Sequence, residues 1–298
     1  MNLLVTGAWG SAKENIGKLE QLGHSVVFMQ QEKDELPCDS KWVEGVICNG
    51  LFLHYSIEDF INLRYIQLTS AGFDRVPMEY VKEHGIRIHN ARGVYSVPMA
   101  EFALAGVLQI YKQAAFFMNN CSKHTWDKHR GLLELYGKTV CIVGCGSVGT
   151  ECAKRFKAFG CHIVGVDLFP RKDECYEEML GLDKLDSILG QADVVVLTLP
   201  LTEDTYHLMN RSRFNKMKEG ALLVNIARGA VVDTDALIRE MNRLGGAVLD
   251  VFEEEPLGEE SPLWDMENVI VTPHNSFVGE GNDERLTEVI LENMRGND

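Results

Sequence analysis

The stretch whose reading decides the fold is Thr139–Asp167, TVCIVGCGSVGTECAKRFKAFGCHIVGVD. It opens on an apolar, β-branched run, Thr139–Val143, and passes at once through Gly144, Gly146 and Gly149 in the order G-C-G-S-V-G. Helical periodicity follows at Val148, Cys152, Ala153, Phe156 and Phe159; Gly160 stops it, and a second apolar run from His162 to Val166 ends on Asp167. The spacing predicts strand, helix, strand. Each part has a physical job. Gly144 allows the tight turn out of the strand, Gly146 lets a backbone approach a pyrophosphate, and Gly149 lets the helix lie close on the sheet. The helix N-terminus offers free N–H groups and a positive dipole end to phosphates. Asp167 stands about 20 residues past the glycines, where a carboxylate accepts hydrogen bonds from a ribose. The reading is dinucleotide binding. Asp167 favours NAD, because its charge would repel the 2′-phosphate of NADP; Arg171, close by, points the other way.

Outward from this stretch, the same alternation continues in both directions. Before it, apolar runs at Asn2–Thr6, Ser25–Met29, Gly45–Cys48, Tyr65–Thr69 and Ile86–Ile88 read as strands, with helices expected at Ala12–Leu22, Ile57–Leu63 and Pro77–His84. Gly7-x-x-Gly10 follows the first strand, but no acidic residue ends the next, so it is a weak second nucleotide loop. Ser96–Gln113 reads as a long apolar helix, suited to burial between domains or in a dimer interface, and Lys123–Leu135 as a connecting segment. After Asp167, helices are expected at Leu182–Leu189, Asp204–Lys218 (with breaks) and Asp233–Leu244, and strands at Ala192–Leu199, Ala221–Ile226, Ala247–Val251 and Asn268–Thr272. Strands alternating with helices imply parallel, doubly wound sheets.

The totals narrow the class. A chain of 298 residues suggests two domains. A net charge of −15 argues against a nucleic-acid or anionic-membrane partner, and no apolar run is long enough to span a bilayer. The opening MNLLVTGAWG reads as a first strand and not as a secretion signal. The 8 cysteines form no C-x-x-C, so buried, reduced thiols in a cytoplasmic protein are expected, with no metal site.

In open parallel sheets ligands sit beyond the carboxyl ends of the strands. Arg228, the stretch Asp250–Glu255 and His274 fall at such ends. Histidine can give and take a proton near neutral pH, a carboxylate beside it steadies the charged ring, and Glu253, Glu254 and Glu255 each offer one. The fork of Arg228 suits a substrate carboxylate.

These stretches resemble the D-isomer-specific 2-hydroxyacid dehydrogenase family. The resemblance rests on Val143–Gly149 (VGCGSVG), Leu199–Thr205 (LPLTEDT), Asn225–Asp233 (NIARGAVVD), Ala247–Leu257 (AVLDVFEEEPL), Pro262–His274 (PLWDMENVIVTPH), Ser70–Asp74 (SAGFD) and Asn90 through Glu101. It implies two doubly wound parallel-sheet domains. One is a Rossmann NAD-binding domain over 98–274; the other is a smaller flavodoxin-like substrate domain over 1–97 completed by 275–298. It implies NAD-dependent interconversion of a 2-keto acid and a D-2-hydroxy acid, with His274 as acid/base, Glu255 as its partner and Arg228 as the substrate anchor. Ala71 and Gly72 amides would join Arg228 and His274 in holding the substrate. Ser147 and Val148 amides would meet the pyrophosphate, Asp167 the ribose, and Asp250 and the Ala227 carbonyl the nicotinamide amide, with Thr205, Arg228 and His274 lining the same cleft. Where the family carries a small apolar residue and glycines after the histidine, this chain has Asn275-Ser276-Phe277, and the tail that follows is short. A cytoplasmic homodimer acting on a small molecule is expected. The competing reading is an NAD(H)-sensing regulator or corepressor-like binding protein on the same fold.

Overall fold

The structure, a computed structural model, describes residues 1–296. The chain divides into two compact units: Met1–Tyr95 with the stretch that begins at Gly279, and Ser96–Val278.

In the first unit the chain runs β1 (Asn2–Thr6), α1 (Ala12–Gln21), β2 (Ser25–Met29), β3 (Gly45–Cys48), β4 (Tyr65–Leu68), α2 (Met78–Glu83) and β5 (Arg87–His89). The strands form one parallel sheet in the order β2-β1-β3-β4-β5. Alternate side chains go to opposite faces. Leu4, Val46, Cys48, Ile66 and Leu68 pack on one side, and Leu3, Val5, Ile47 and Tyr65 on the other. Both faces are covered, so the strands read as unbroken apolar runs.

The second unit holds α3 (Ser96–Tyr111), α4 (Ala114–Lys123), β6 (Thr139–Val143), α5 (Ser147–Ala158), β7 (His162–Asp167), β8 (Glu178–Gly181), α6 (Leu185–Leu189), β9 (Val194–Leu197), α7 (Arg211–Lys216), β10 (Leu222–Asn225), α8 (Thr234–Glu240), β11 (Gly246–Leu249) and β12 (Val269–Val271). Its sheet is parallel throughout, in the order β12-β11-β10-β9-β6-β7-β8. The strand order reverses between β6 and β9, which is where a doubly wound sheet opens a crevice for a dinucleotide. Ala100, Ala103 and Val107 of α3 pack on the face formed by Val140, Ile142, Val194 and Val224. The chain then returns to the first unit as α9 (Asn282–Arg295), whose Leu286, Ile290, Leu291 and Met294 join the core around Leu3 and Val5.

Two doubly wound parallel sheets are thus what the residues specify, and the departures have local causes. The unit boundaries fall at Tyr95/Ser96 and Val278/Gly279. Ser96 and Val97 belong to the continuous helix α3, and the turn through Asn275 and Ser276 is tied to Asp250, so both stay with the second unit. The helix expected at Ile57–Leu63 is a single 3-10 turn, Ile57–Asp59, with Phe60 and Leu63 buried as loop anchors. The breaks expected within Asp204–Lys218 leave a helix only over Arg211–Lys216, and just before it the Met209 backbone pairs with Val232 in an isolated bridge. β8 escaped notice as a half-exposed edge strand with no apolar run. The tail forms a 14-residue amphipathic helix, which the sequence reading does not assign.

Among the described residues no helix is long and apolar enough to cross a membrane, and no cluster of metal-ligating side chains occurs. All 8 cysteines are free thiols.

Candidate active site

The turn after β6 has the shape the glycines require. Gly144 lies at φ +97°, and a Cβ there would fall 2.6 Å from the Leu199 nitrogen. A Cβ on Gly149 would fall 2.1 Å from the Gly144 carbonyl, so α5 can lie this close to the strand only with glycine there. At Gly146 a Cβ would meet nothing within 4 Å, which leaves the outer side of the turn open. Helix α5 starts at Ser147 with no side-chain cap and no acidic residue in its first turn, so the amides around Ser147 and Val148 remain for an outside acceptor. This cradle fits a pyrophosphate.

Asp167 ends β7. Its Oδ2 accepts the Cys145 N–H at 2.7 Å and its Oδ1 the Phe169 N–H at 2.9 Å. Arg171 Nη2 donates to the Cys145 carbonyl at 2.7 Å, so acid and base hold the two backbone groups of one residue of the glycine turn. Burial pushes the Cys145 thiol up to about 12, which leaves it protonated and inert beneath the loop.

The residues at the ends of β10, β11 and β12 are ordered by buried polar groups. Asn225, almost fully buried, accepts the Ala227 N–H at 3.1 Å and donates to the Arg228 carbonyl at 3.0 Å, which shapes the turn that presents Arg228. Arg228 Nη1 donates to the Ala227 carbonyl at 2.8 Å. Asp250 is fully buried, and its carboxylate takes Thr272 Oγ1 at 2.7 Å, Asn275 N at 2.7 Å and Ser276 N at 2.9 Å. Its carbonyl accepts the His274 N–H at 2.8 Å. These bonds hold His274 at φ +51°. His274 Nδ1 then lies 2.9 Å from Glu255 Oε2, while Glu255 Oε1 accepts the Phe252 N–H at 3.1 Å. An ionised carboxylate only accepts, so in this contact Nδ1 is the donor and Nε2 is the nitrogen turned away from Glu255. The Phe277 ring stands edge-on to the imidazole, centroids 6.1 Å apart.

A model of the D-isomer specific 2-hydroxyacid dehydrogenase NAD-binding domain matches residues 104–276. A glyoxylate reductase of Thermofilum pendens is 35% identical over 241 residues, 78% of this chain and 71% of that protein. The chain belongs to the D-isomer specific 2-hydroxyacid dehydrogenase family. Two solved structures of such enzymes are similar over almost their full length. A glyoxylate reductase from Paecilomyes thermophila has a TM-score of 0.85 at 26% identity, covering 99% of this chain and 94% of that one. A D-lactate dehydrogenase from Aquifex aeolicus, complexed with NAD and lactic acid, has a TM-score of 0.81 at 25% identity, covering 99% and 95%. The protein is accordingly an NAD-dependent oxidoreductase of the 2-hydroxyacid dehydrogenase type.

For this 2-hydroxyacid dehydrogenase, the positions named from sequence are distributed as follows. Glu255 and His274 are in direct contact. Ala227 is buried and its carbonyl is engaged by Arg228. Thr205 is buried and turned into its own loop, donating to the Pro200 carbonyl and accepting the Thr202 N–H at 2.7 Å. Ala71 and Gly72 belong to the first unit, in a loop beyond β4 where Asn90 Nδ2 donates to the Ala71 carbonyl and Ser70 Oγ to the Gly72 carbonyl. Glu253, one of three equivalent acids in the sequence, pairs instead with His207 at 2.6 Å. Sequence reasoning passed over Asn225, Thr272 and His207. Asn225 and Thr272 carried a signal, since each is a polar residue closing an apolar strand; His207 carried none.

Proposed function

We propose that this enzyme reversibly reduces a small 2-keto acid to the D-2-hydroxy acid, with His274 as acid/base, Glu255 as the partner that orients and steadies it, and Arg228 as the carboxylate anchor. The observation that carries the reading is the Glu255 to His274 contact at 2.9 Å, which fixes the tautomer and reserves Nε2. The Gly144–Gly149 turn and Asp167 would hold NADH, which would supply the hydride. His274 Nε2–H gives its proton to the substrate oxygen as C2 is reduced, and takes it back in the reverse direction. Glu255 offsets the imidazolium charge in the protonated state. The Arg228 fork binds the carboxylate in two parallel bonds and so aligns C2. Phe277, beside the imidazole, leaves little room for a bulky substituent on C2 and favours glyoxylate- or pyruvate-sized acids. The test follows NADH consumption with a panel of 2-keto acids of increasing side-chain length. His274→Ala should lower turnover by a factor on the order of 10² or more with NADH binding kept. Unchanged turnover would remove the acid/base role.

We further propose a cytoplasmic homodimer. The free thiols suit a reducing compartment. Phe117, Met118, Trp126, Leu132, Leu133 and Tyr136 are all exposed within α4 and the stretch after it, apolar area that a second copy would cover. Light scattering on the purified protein and on Met118→Glu/Trp126→Glu decides it; a wild-type monomer ends the proposal.

A further inference from the structure

The acidic turn after β11 carries two histidine–glutamate pairs, and the function proposed above uses one. Two residues before Glu255, Glu253 Oε2 lies 2.6 Å from His207 Nε2, and Glu253 Oε1 accepts the Thr234 N–H at 2.8 Å. Each carboxylate therefore takes one imidazole nitrogen and one backbone amide. Each histidine also sits in the left-handed region, φ +47° at His207 and +51° at His274. Residues other than glycine hold that conformation where their surroundings impose it.

The second pair reaches the substrate anchor through the backbone. His207 N–H donates to the Ala230 carbonyl at 2.8 Å, two residues past Arg228. Gly229 lies directly on the acidic turn, where a Cβ would fall 1.8 Å from the Phe252 carbonyl carbon and 2.4 Å from the Glu253 nitrogen. The loop that follows Arg228 is thus pressed onto Phe252–Glu253 and tied from outside by His207, whose ring is bonded to Glu253. We propose that His207 and Glu253 are a positioning pair, holding the Arg228 loop against the turn that carries Glu255 and so setting the registry between the keto-acid anchor and the acid/base pair. The inference rests on the roles given above to Arg228, Glu255 and His274. The two side chains act through those residues. At about 30% exposure of each side chain, such a pair adds little to global stability, so its effect belongs to geometry.

Wild-type protein with NADH and the 2-keto acid panel comes first. No turnover with any acid removes the functional reading, whereas turnover leaves the pair to stand or fall by itself. His207→Gln, Glu253→Gln and the double variant are then compared, each normalised to its titrated NADH sites. A misplaced anchor costs substrate affinity steeply. The KM for glyoxylate and the Kd of oxamate, a non-reducible keto-acid mimic, against the NADH complex should therefore rise by about 10-fold, with a smaller change in kcat and an NADH Kd within about twofold. Because the two groups act as one, the double variant should be no worse than the weaker single variant. Unchanged KM and oxamate binding in NADH-competent protein, or additive losses in the double variant, overturn the proposal. It is equally overturned if Glu253→Gln, which keeps the shape and an acceptor for Thr234, no longer binds NADH, since the pair then serves only the fold of the domain.

Discussion

Both sheets begin with the same device, a strand running into a glycine-flanked turn and then a helix, and they use it in opposite ways. After β1 the turn Gly7–Gly10 is filled by the chain itself. Trp9 is fully buried and its Nε1 donates to Thr287 Oγ1 at 3.0 Å, while the Ser11 N–H donates to Asp283 at 3.1 Å. Glu32, just beyond β2, spends its carboxylate on Thr6 Oγ1 at 2.8 Å and on the Asn49 and Gly50 amides at 2.6 Å each. After β6 the turn is open at Gly146, the helix behind it is uncapped, and the acid that ends the next strand, Asp167, lies against the turn itself. Parallel architecture offers a crevice at the strand ends. What the neighbouring side chains do with it decides whether a ligand or the protein occupies the place.

That difference can be broken from either side. Trp9→Ala should have the largest effect, a loss of about 3–5 kcal/mol of stability as expected for an aromatic core truncation, with no gain of nucleotide affinity by the first unit. A melt unchanged from wild type would mean that Trp9 is not a plug. Gly146→Val places a side chain in open space, so the melt should hold while NADH affinity falls by about 100-fold, or ~2.7 kcal/mol; fluorescence titration reads this directly. Wild-type affinity would show that the phosphates do not pass Gly146. Asp167→Ala should be milder. It removes the charge that opposes a 2′-phosphate and leaves Arg171 beside the turn, so the NADPH to NADH affinity ratio should rise by about 10-fold. A ratio that stays put assigns cofactor choice elsewhere.

The same contrast explains what could be read without coordinates. The βαβ stretch around Gly144 was legible because strand period, glycine spacing and terminal acid agree at every level. His274 and Glu255 were legible as a pair only through the resemblance, because three adjacent glutamates are chemically equivalent in sequence. Their sorting, Glu255 to His274 and Glu253 to His207, is decided by loops from distant parts of the chain. The filling of the first turn was illegible for the same reason: Trp9 is matched by Thr287, 278 positions away. The helix α9 that supplies Thr287 did carry its pattern, with Leu286, Ile290, Leu291 and Met294 on one face.

The smallest expected effect sets the two units apart by pH. Among the described residues, the carboxyls held below their ordinary range, Glu151, Asp186, Asp193 and Glu253, all lie in the second unit. Burial pushes Glu151, Asp193 and Glu253 up, and hydrogen bonds outweigh it: Lys154 and Arg155 at Glu151, Lys218 and the Thr139 N–H at Asp193, the Thr234 N–H and His207 at Glu253. At Asp186, Lys216 and then Arg213 pull directly downward. A carboxyl lowered in the fold binds fewer protons there than in the unfolded chain. Its contribution is whole above the unfolded value of about 4 and is lost as pH falls through the folded value. In the first unit the lowered group is His89, where burial leads and the Arg87 charge adds. The sign is the same but the window is higher, since loss begins once pH drops below the ordinary histidine value of about 6.5. Hydrogen exchange corrected for intrinsic rates should therefore show peptides around β4 and β5 loosening slightly once pH falls below about 6.5, and peptides around Asp193 only below about pH 4. His89→Gln should erase the first step, and Asp193→Asn should blunt the second while lowering Tm by about 2–4 °C. A single common loss of protection across both units would show that their acid responses are one transition.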